Sequence, residues 1–86
     1  MSWYVYLLEC NDGSIYTGIA TDVEKRYAAH CTGKGARYTK SHPPTQILAV
    51  FAHENRSAAS KAEYAIKQLT AQQKRALCQK ELTEQL

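Results

Sequence analysis

The strongest constraint in this chain is a pair of short apolar runs on either side of a turn: "WYVYLLEC", then "NDG", then "SIYTGIA". Both runs are rich in aromatic and β-branched residues, so residues 3–9 and 15–20 read as strands of one hairpin. The turn decides the register. A two-residue loop at Asp12-Gly13 would put Tyr6 and Tyr16 on opposite faces. A three-residue loop, Asn11 to Gly13, sets glycine where a left-handed residue is wanted. It pairs Cys10 with Ser14, Leu8 with Tyr16 and Tyr6 with Gly18. This register gathers Val5, Leu7, Ile15 and Ile19 on one face, a coherent core set. Tyr4, Tyr6 and Tyr16 then share the other face, which is expected to lie open, with Gly18 leaving space beside the tyrosines.

Downstream, Thr21 to Glu24 has the T-x-x-E form of a capping box and predicts a helix from Asp22 to about Cys31, stopped at Gly33. Val23, Tyr27 and Cys31 form its apolar stripe, and Arg26 and His30 share a face beside that stripe. "GKGARYTKSHPPT" reads as a polar loop closed by Pro43-Pro44. Residues 46–53 make a third strand. A second helix starts near Ser57 and buries Ala59, Ala62, Ile66 and Leu69. Thr70 to Gln73 is another capping box, opening a third helix that runs to about Leu82. No repeat or linker interrupts the chain. The expectation is one α+β domain over residues 1–86, a three-stranded antiparallel sheet flanked by three helices in the order ββαβαα.

With 86 residues there is no room for a second core. Polar groups placed near so small a core are costly and ask for a functional reason. The net charge of +3 is compatible with a polyanionic partner. From Lys25 to Lys40 there are five Lys or Arg and no Asp or Glu. The cysteines, Cys10, Cys31 and Cys78, are odd in number and far apart, which argues against a disulfide framework or a zinc ribbon. The first residues lack the pattern of a signal peptide, and no apolar run is long enough to span a membrane. A reducing, cytoplasmic setting is the default expectation.

Several side chains could carry chemistry. Tyr6 and Tyr16 on one face, against a glycine, could orient or deprotonate a water if cations lowered the phenol pKa. Singly, each would be an ordinary amphipathic aromatic. Arg26 could fork onto phosphate oxygens, or simply pair with Asp22. His30 could bind the same phosphate or relay a proton, although a lone helical histidine is usually surface decoration. Glu63 borders the second helix's apolar line. It could hold one Mg²⁺, or form a plain ion pair with Lys67. The loop interleaves Lys34, Arg37, Tyr38 and Lys40 with glycines, like a loop that tracks phosphates with one stacking ring. His42 and His53 show no metal spacing.

Together these residues resemble the GIY-YIG nuclease superfamily. Tyr4-Val5-Tyr6 stands where that family has Gly-Ile-Tyr, and Tyr16-Thr17-Gly18 where it has Tyr-Ile-Gly. Arg26 and His30 match its R-x-x-x-H helix, and Glu63 matches its metal-binding glutamate. The resemblance covers the whole chain, and it is closest to small stand-alone bacterial proteins made of this domain alone. Thr17 departs from the family's isoleucine, and the asparagine that many members carry on the last helix is absent.

The resemblance implies that Tyr16 positions or activates a water with help from Tyr6. Arg26 and His30 would hold the scissile phosphate, and Glu63 would bind one Mg²⁺ or Mn²⁺. The implied reaction is phosphodiester hydrolysis leaving a 5′-phosphate and a 3′-hydroxyl. The expected substrate is nucleic acid, DNA ahead of RNA, in structured or damaged forms and with little sequence specificity. Two other readings stay open: a nucleic-acid-binding module of the same fold with weak or no catalysis, and an adaptor whose third helix docks a protein.

Overall fold

The computed structural model describes residues 2–84, with side chains through residue 80. Its elements are β1 (Trp3–Cys10), β2 (Ile15–Ala20), α1 (Val23–Cys31), α2 (Arg37–Ser41), β3 (Pro44–His53), α3 (Arg56–Lys67) and α4 (Ala71–Glu84). The strands form one antiparallel sheet in the order β2-β1-β3. This is the predicted ββαβαα architecture, with one addition: the polar loop winds into the single short helix α2.

The hairpin takes the three-residue turn. Gly13 has φ 83° and donates to Cys10 O at 2.9 Å, while Cys10 N–H donates to Ser14 O at 2.9 Å. Tyr6 therefore lies opposite Gly18, and Leu8 opposite Tyr16. Central β1 is buried on both faces. Val5 and Leu7 join Ile15, Ala49, Ala59 and Cys78 in one core beneath α3 and α4. Tyr6, Leu8 and Ala20 form a second cluster with Tyr16, Val23, Tyr27 and Val50. The tyrosine face is thus not open as expected. It is roofed by α1, and Tyr6 is only 1% exposed. Each fully buried Val or Leu side chain contributes roughly 1.5–3 kcal/mol, a large share of a small domain's margin.

The helix starts obey capping chemistry, with one shift. Asp22, not Thr21, caps α1, its carboxylate accepting from Lys25 N–H at 3.1 Å. Aspartate outranks threonine in that role. Gly33, at φ 78°, closes the helix in a Schellman arrangement: Lys34 N–H donates to Ala29 O at 2.8 Å and Gly33 N–H to His30 O at 3.3 Å. Asn55 caps α3, accepting from Ala58 N–H at 2.8 Å. The Thr70–Gln73 capping box is formed reciprocally, at 2.9 and 3.1 Å. Arg75, in the first half of α4, then locks onto the hairpin through Glu9, at 2.6 Å, and Gly13 O, at 2.8 Å. No helix among the described residues is long and apolar enough to cross a membrane.

The stripe of α1 differs from the prediction by one residue. Val23 and Tyr27 face the sheet, but the third buried position is His30, at 0% exposure, and Cys31 is exposed. The positions i, i+4 and i+7 lie closer to one line on a helix than i, i+4 and i+8 do.

Candidate active site

The site is built on the paired strands β1 and β2 and roofed by α1. Tyr6 and Tyr16 lie on the same face with ring centroids 6.4 Å apart. Gly18, opposite Tyr6, makes their packing possible: a Cβ there would sit 2.6 Å from the Tyr6 hydroxyl oxygen. The glycine thus does more than leave space, because Tyr6 fills it.

The Tyr6 hydroxyl meets His30 Nε2 at 2.9 Å, and both side chains are buried. On the far side of the imidazole, Nδ1 lies 2.7 Å from Thr39 Oγ, which donates to Ala36 O at 2.9 Å. Thr39 has one hydroxyl proton, and that bond uses it. Nδ1–H is therefore the donor to Thr39, and Nε2 accepts from Tyr6. This assignment satisfies the three short contacts and leaves aside the 3.4 Å approach of Ala36 N–H to Nδ1. Gly35 closes the cage. A Cβ on it would fall 2.1 Å from Nδ1.

Burial, and secondarily the Arg26 charge, lower the His30 pKa, so the imidazole is held neutral. Tyr6 is pushed the other way, up to about 12. Burial dominates, the neighbouring Tyr16 adds to it, and Arg26 opposes it. The Glu63 carboxylate also acts on this hydroxyl, in the raising direction. Arg26 from α1 and Glu63 from α3 are thus both within electrostatic reach of Tyr6. Tyr6 is a hydrogen-bond donor throughout the physiological range, not a phenolate. The expected cation-lowered pKa is reversed here, because burial outweighs Arg26.

The other predicted residues divide. Arg26 is exposed on α1. His30 is not exposed beside it to hold a phosphate, as expected; it is sealed beneath Tyr6. Glu63 is 22% exposed in its side chain and pairs with Lys67 at 3.5 Å. Among the described residues no cluster of three or more His, Cys, Asp or Glu could hold a metal. A single carboxylate fits a hard cation that keeps most of its shell as water and substrate oxygens, as Mg²⁺ does, and does not fit a protein-built cage. Lys34, Arg37 and Lys40 are exposed around α2.

Tyr38 continues an aromatic column, 6.0 Å from Tyr16 and 4.4 Å from His42. Its hydroxyl bonds Ser14, and His42 Nε2 lies 3.5 Å from Asp12. Thr39 and Gly35 escaped the sequence reading, and His42, weighed there only for metal spacing, was given no role. Thr39 and His42 depend on a helical turn that no pattern announced. Gly35 carried a usable signal, a second glycine two residues past the helix stop.

Residues 2–76 match the GIY-YIG catalytic domain family. A UPF0213 protein of Cupriavidus necator is 53% identical over 77 residues, covering 90% of this chain and 84% of the relative. Among solved structures, the solution NMR structure of a UPF0213 protein from Bacillus halodurans superposes with TM-score 0.56 at 44% identity, covering 90% of this chain and 82% of that one. A solution NMR structure of an E. faecalis protein gives TM-score 0.66 at 40% identity, covering 96% and 88%.

Proposed function

The chain belongs to the GIY-YIG catalytic domain family, and from that premise we propose that it is a metal-dependent endonuclease hydrolysing phosphodiester bonds in nucleic acid. DNA is the substrate we favour over RNA, in structured or damaged forms. The observation that carries this reading is the convergence on one buried hydroxyl: Tyr6 bonded to His30 at 2.9 Å, under the influence of both Arg26 and Glu63. A domain that only bound nucleic acid would have no evident use for a carboxylate here, since it repels phosphate.

In this reading Arg26 binds the scissile phosphate through its guanidinium fork and meets the charge that develops there. Tyr16, half-buried beside Tyr6, orients the attacking water. Tyr6 donates to His30 and keeps lone pairs free to accept from that water or from Tyr16. His30 is a positioning residue: it fixes the direction of the Tyr6 O–H and takes no part in contacting substrate. Glu63 would hold Mg²⁺ or Mn²⁺, which when bound stabilises negative charge on the leaving oxygen.

A second reading, a binding module without useful catalysis, draws support from the Glu63–Lys67 ion pair, because that ammonium competes with a metal for the carboxylate. Cleavage of labelled branched, nicked and single-stranded DNA with Mg²⁺ or Mn²⁺ separates the two. The wild-type protein should cut, and folded Glu63→Gln should bind without cutting. Equal cleavage by both would trace the activity to a contaminant and leave the binding module standing.

A further inference from the structure

Two ammonium groups from different helices converge on the strand that carries Tyr16. Lys67 ends α3, and Lys74 stands near the start of α4. Lys67, Lys74, Ile15, Tyr16, Thr17 and Tyr38 line a groove of about 200 Å³.

Lys74 is only partly exposed. Its Nζ reaches Ile15 O at 3.5 Å, and no carboxylate pairs with it among the described residues. Burial lowers its pKa, and so does the neighbouring Lys67. Lys67 is already paired with Glu63 at 3.5 Å, so Lys74 is the ammonium of the two that lacks a carboxylate among the described residues, and an anion in the groove would meet its charge. Thr17, in the same groove, is 2% exposed, and its hydroxyl has no hydrogen-bond partner among the described residues. Lys67 also touches Glu63, so the groove adjoins the carboxylate of the catalytic reading on one side and the Tyr16 ring on the other.

We infer that the groove between Lys67 and Lys74 holds a backbone phosphate of the nucleic acid, next along the strand from the phosphate that is cut. This rests on the nucleic-acid reading above and gives it a path: the strand crosses Tyr16 between Arg26 and α4. Tyr38, its ring 6.0 Å from Tyr16, would flank the intervening nucleotide. The predicted basic loop is then not the whole footprint, because two of the cations come from the helices that follow the third strand.

The test is binding of a short fluorescent nicked DNA duplex in EDTA, where no cutting occurs, over a series of salt concentrations. Lys67→Gln and Lys74→Gln are compared with Lys61→Gln, which lies in a different surface groove with Arg56 and Tyr64. Each groove variant should weaken binding at low salt and reduce the log–log salt slope by about 0.9, the value for one lost phosphate contact. Lys61→Gln should change it less. Amide NMR supplies the second arm. DNA should shift the Thr17 and Lys74 resonances in the wild type, and inorganic phosphate at equal concentration should not. If phosphate alone shifts them as strongly as DNA, the groove is a free-anion site and the backbone assignment is wrong. If both lysine variants bind with unchanged slope while the wild type binds and cuts, the groove assignment alone fails. If the wild type binds no DNA, this inference and the proposed function fall together.

Discussion

Tyr6 and His30 form a buried pair in which a hydroxyl that stays protonated donates to an imidazole that stays neutral, across 2.9 Å. Their pKa shifts run in opposite directions for the same reason: burial disfavours the charged form of each. The first prediction follows from the imidazole. Its folded pKa is below the 6.5 of the free side chain. Between those two values the unfolded chain binds a proton that the native protein does not, so stability rises with pH through that window and falls as pH drops below about 6.5. Urea denaturation of the wild type at pH 5 and pH 7.5 should show the loss, and His30→Gln should flatten the dependence. Glu9 and Asp12, whose pKa values are lowered by hydrogen bonds, act only further into the acid range.

Gly35→Ala should be among the most damaging single-methyl additions in the chain. The new carbon would lie 2.1 Å from Nδ1, with the imidazole held on both sides by Tyr6 and Thr39. Relief requires moving the ring or the loop, a cost of about 1–3 kcal/mol. Thermal denaturation should report it, and cleavage should drop more than Gly33→Ser would explain. Full stability and full activity in Gly35→Ala would show that the cage around His30 is loose.

Thr17→Val should stabilise the fold. The buried hydroxyl has no hydrogen-bond partner among the described residues, and removing it relieves an unmet desolvation cost of about 1 kcal/mol or more. A raised Tm is the expected result. A lowered Tm would mean the hydroxyl is satisfied in solution by an ordered water.

Arg26→Ala and Tyr16→Phe should fail differently. The first removes a phosphate contact, so both binding and cleavage should fall, the rate by about 100-fold or more. The second removes only a hydroxyl, so binding should persist while the rate falls on the order of 100-fold. Circular dichroism on each controls for misfolding. If Tyr16→Phe cleaved at the wild-type rate, the water would have to be oriented by some group other than Tyr16.

The hairpin register, the three-strand sheet and the Thr70–Gln73 cap were legible because each rests on local chemistry: a glycine that a left-handed turn needs, alternation along a strand, a side chain reaching back three residues. The pairing of Tyr6 with Gly18 came directly from that register. What could not be read was depth. Whether His30 is decoration or core depends on α2, a helix of five residues whose capping position, Ala36, makes no side-chain cap. That turn forms because Thr39 bonds both Ala36 O and the imidazole, a contact nine residues apart that no periodicity encodes. Lys67 and Lys74 were likewise invisible as a pair. Each looks like a solvated helical lysine until the break at Thr70 turns α4 back toward β2.

The strand order has a consequence for how the molecule comes into being. β1, which leads the chain, is the middle strand, and its second partner lies at residues 44–53. During synthesis the hairpin carrying both tyrosines emerges with one side of β1 unpaired, and it stays so until residues 44–53 have followed. Glu63, Lys67 and Lys74 come later still. A nascent or truncated chain thus holds the tyrosines and the arginine with an apolar strand edge exposed and the acid missing, a species suited to aggregation and not to cutting. Glu63 takes its place only with the last two helices, when that edge has already been covered.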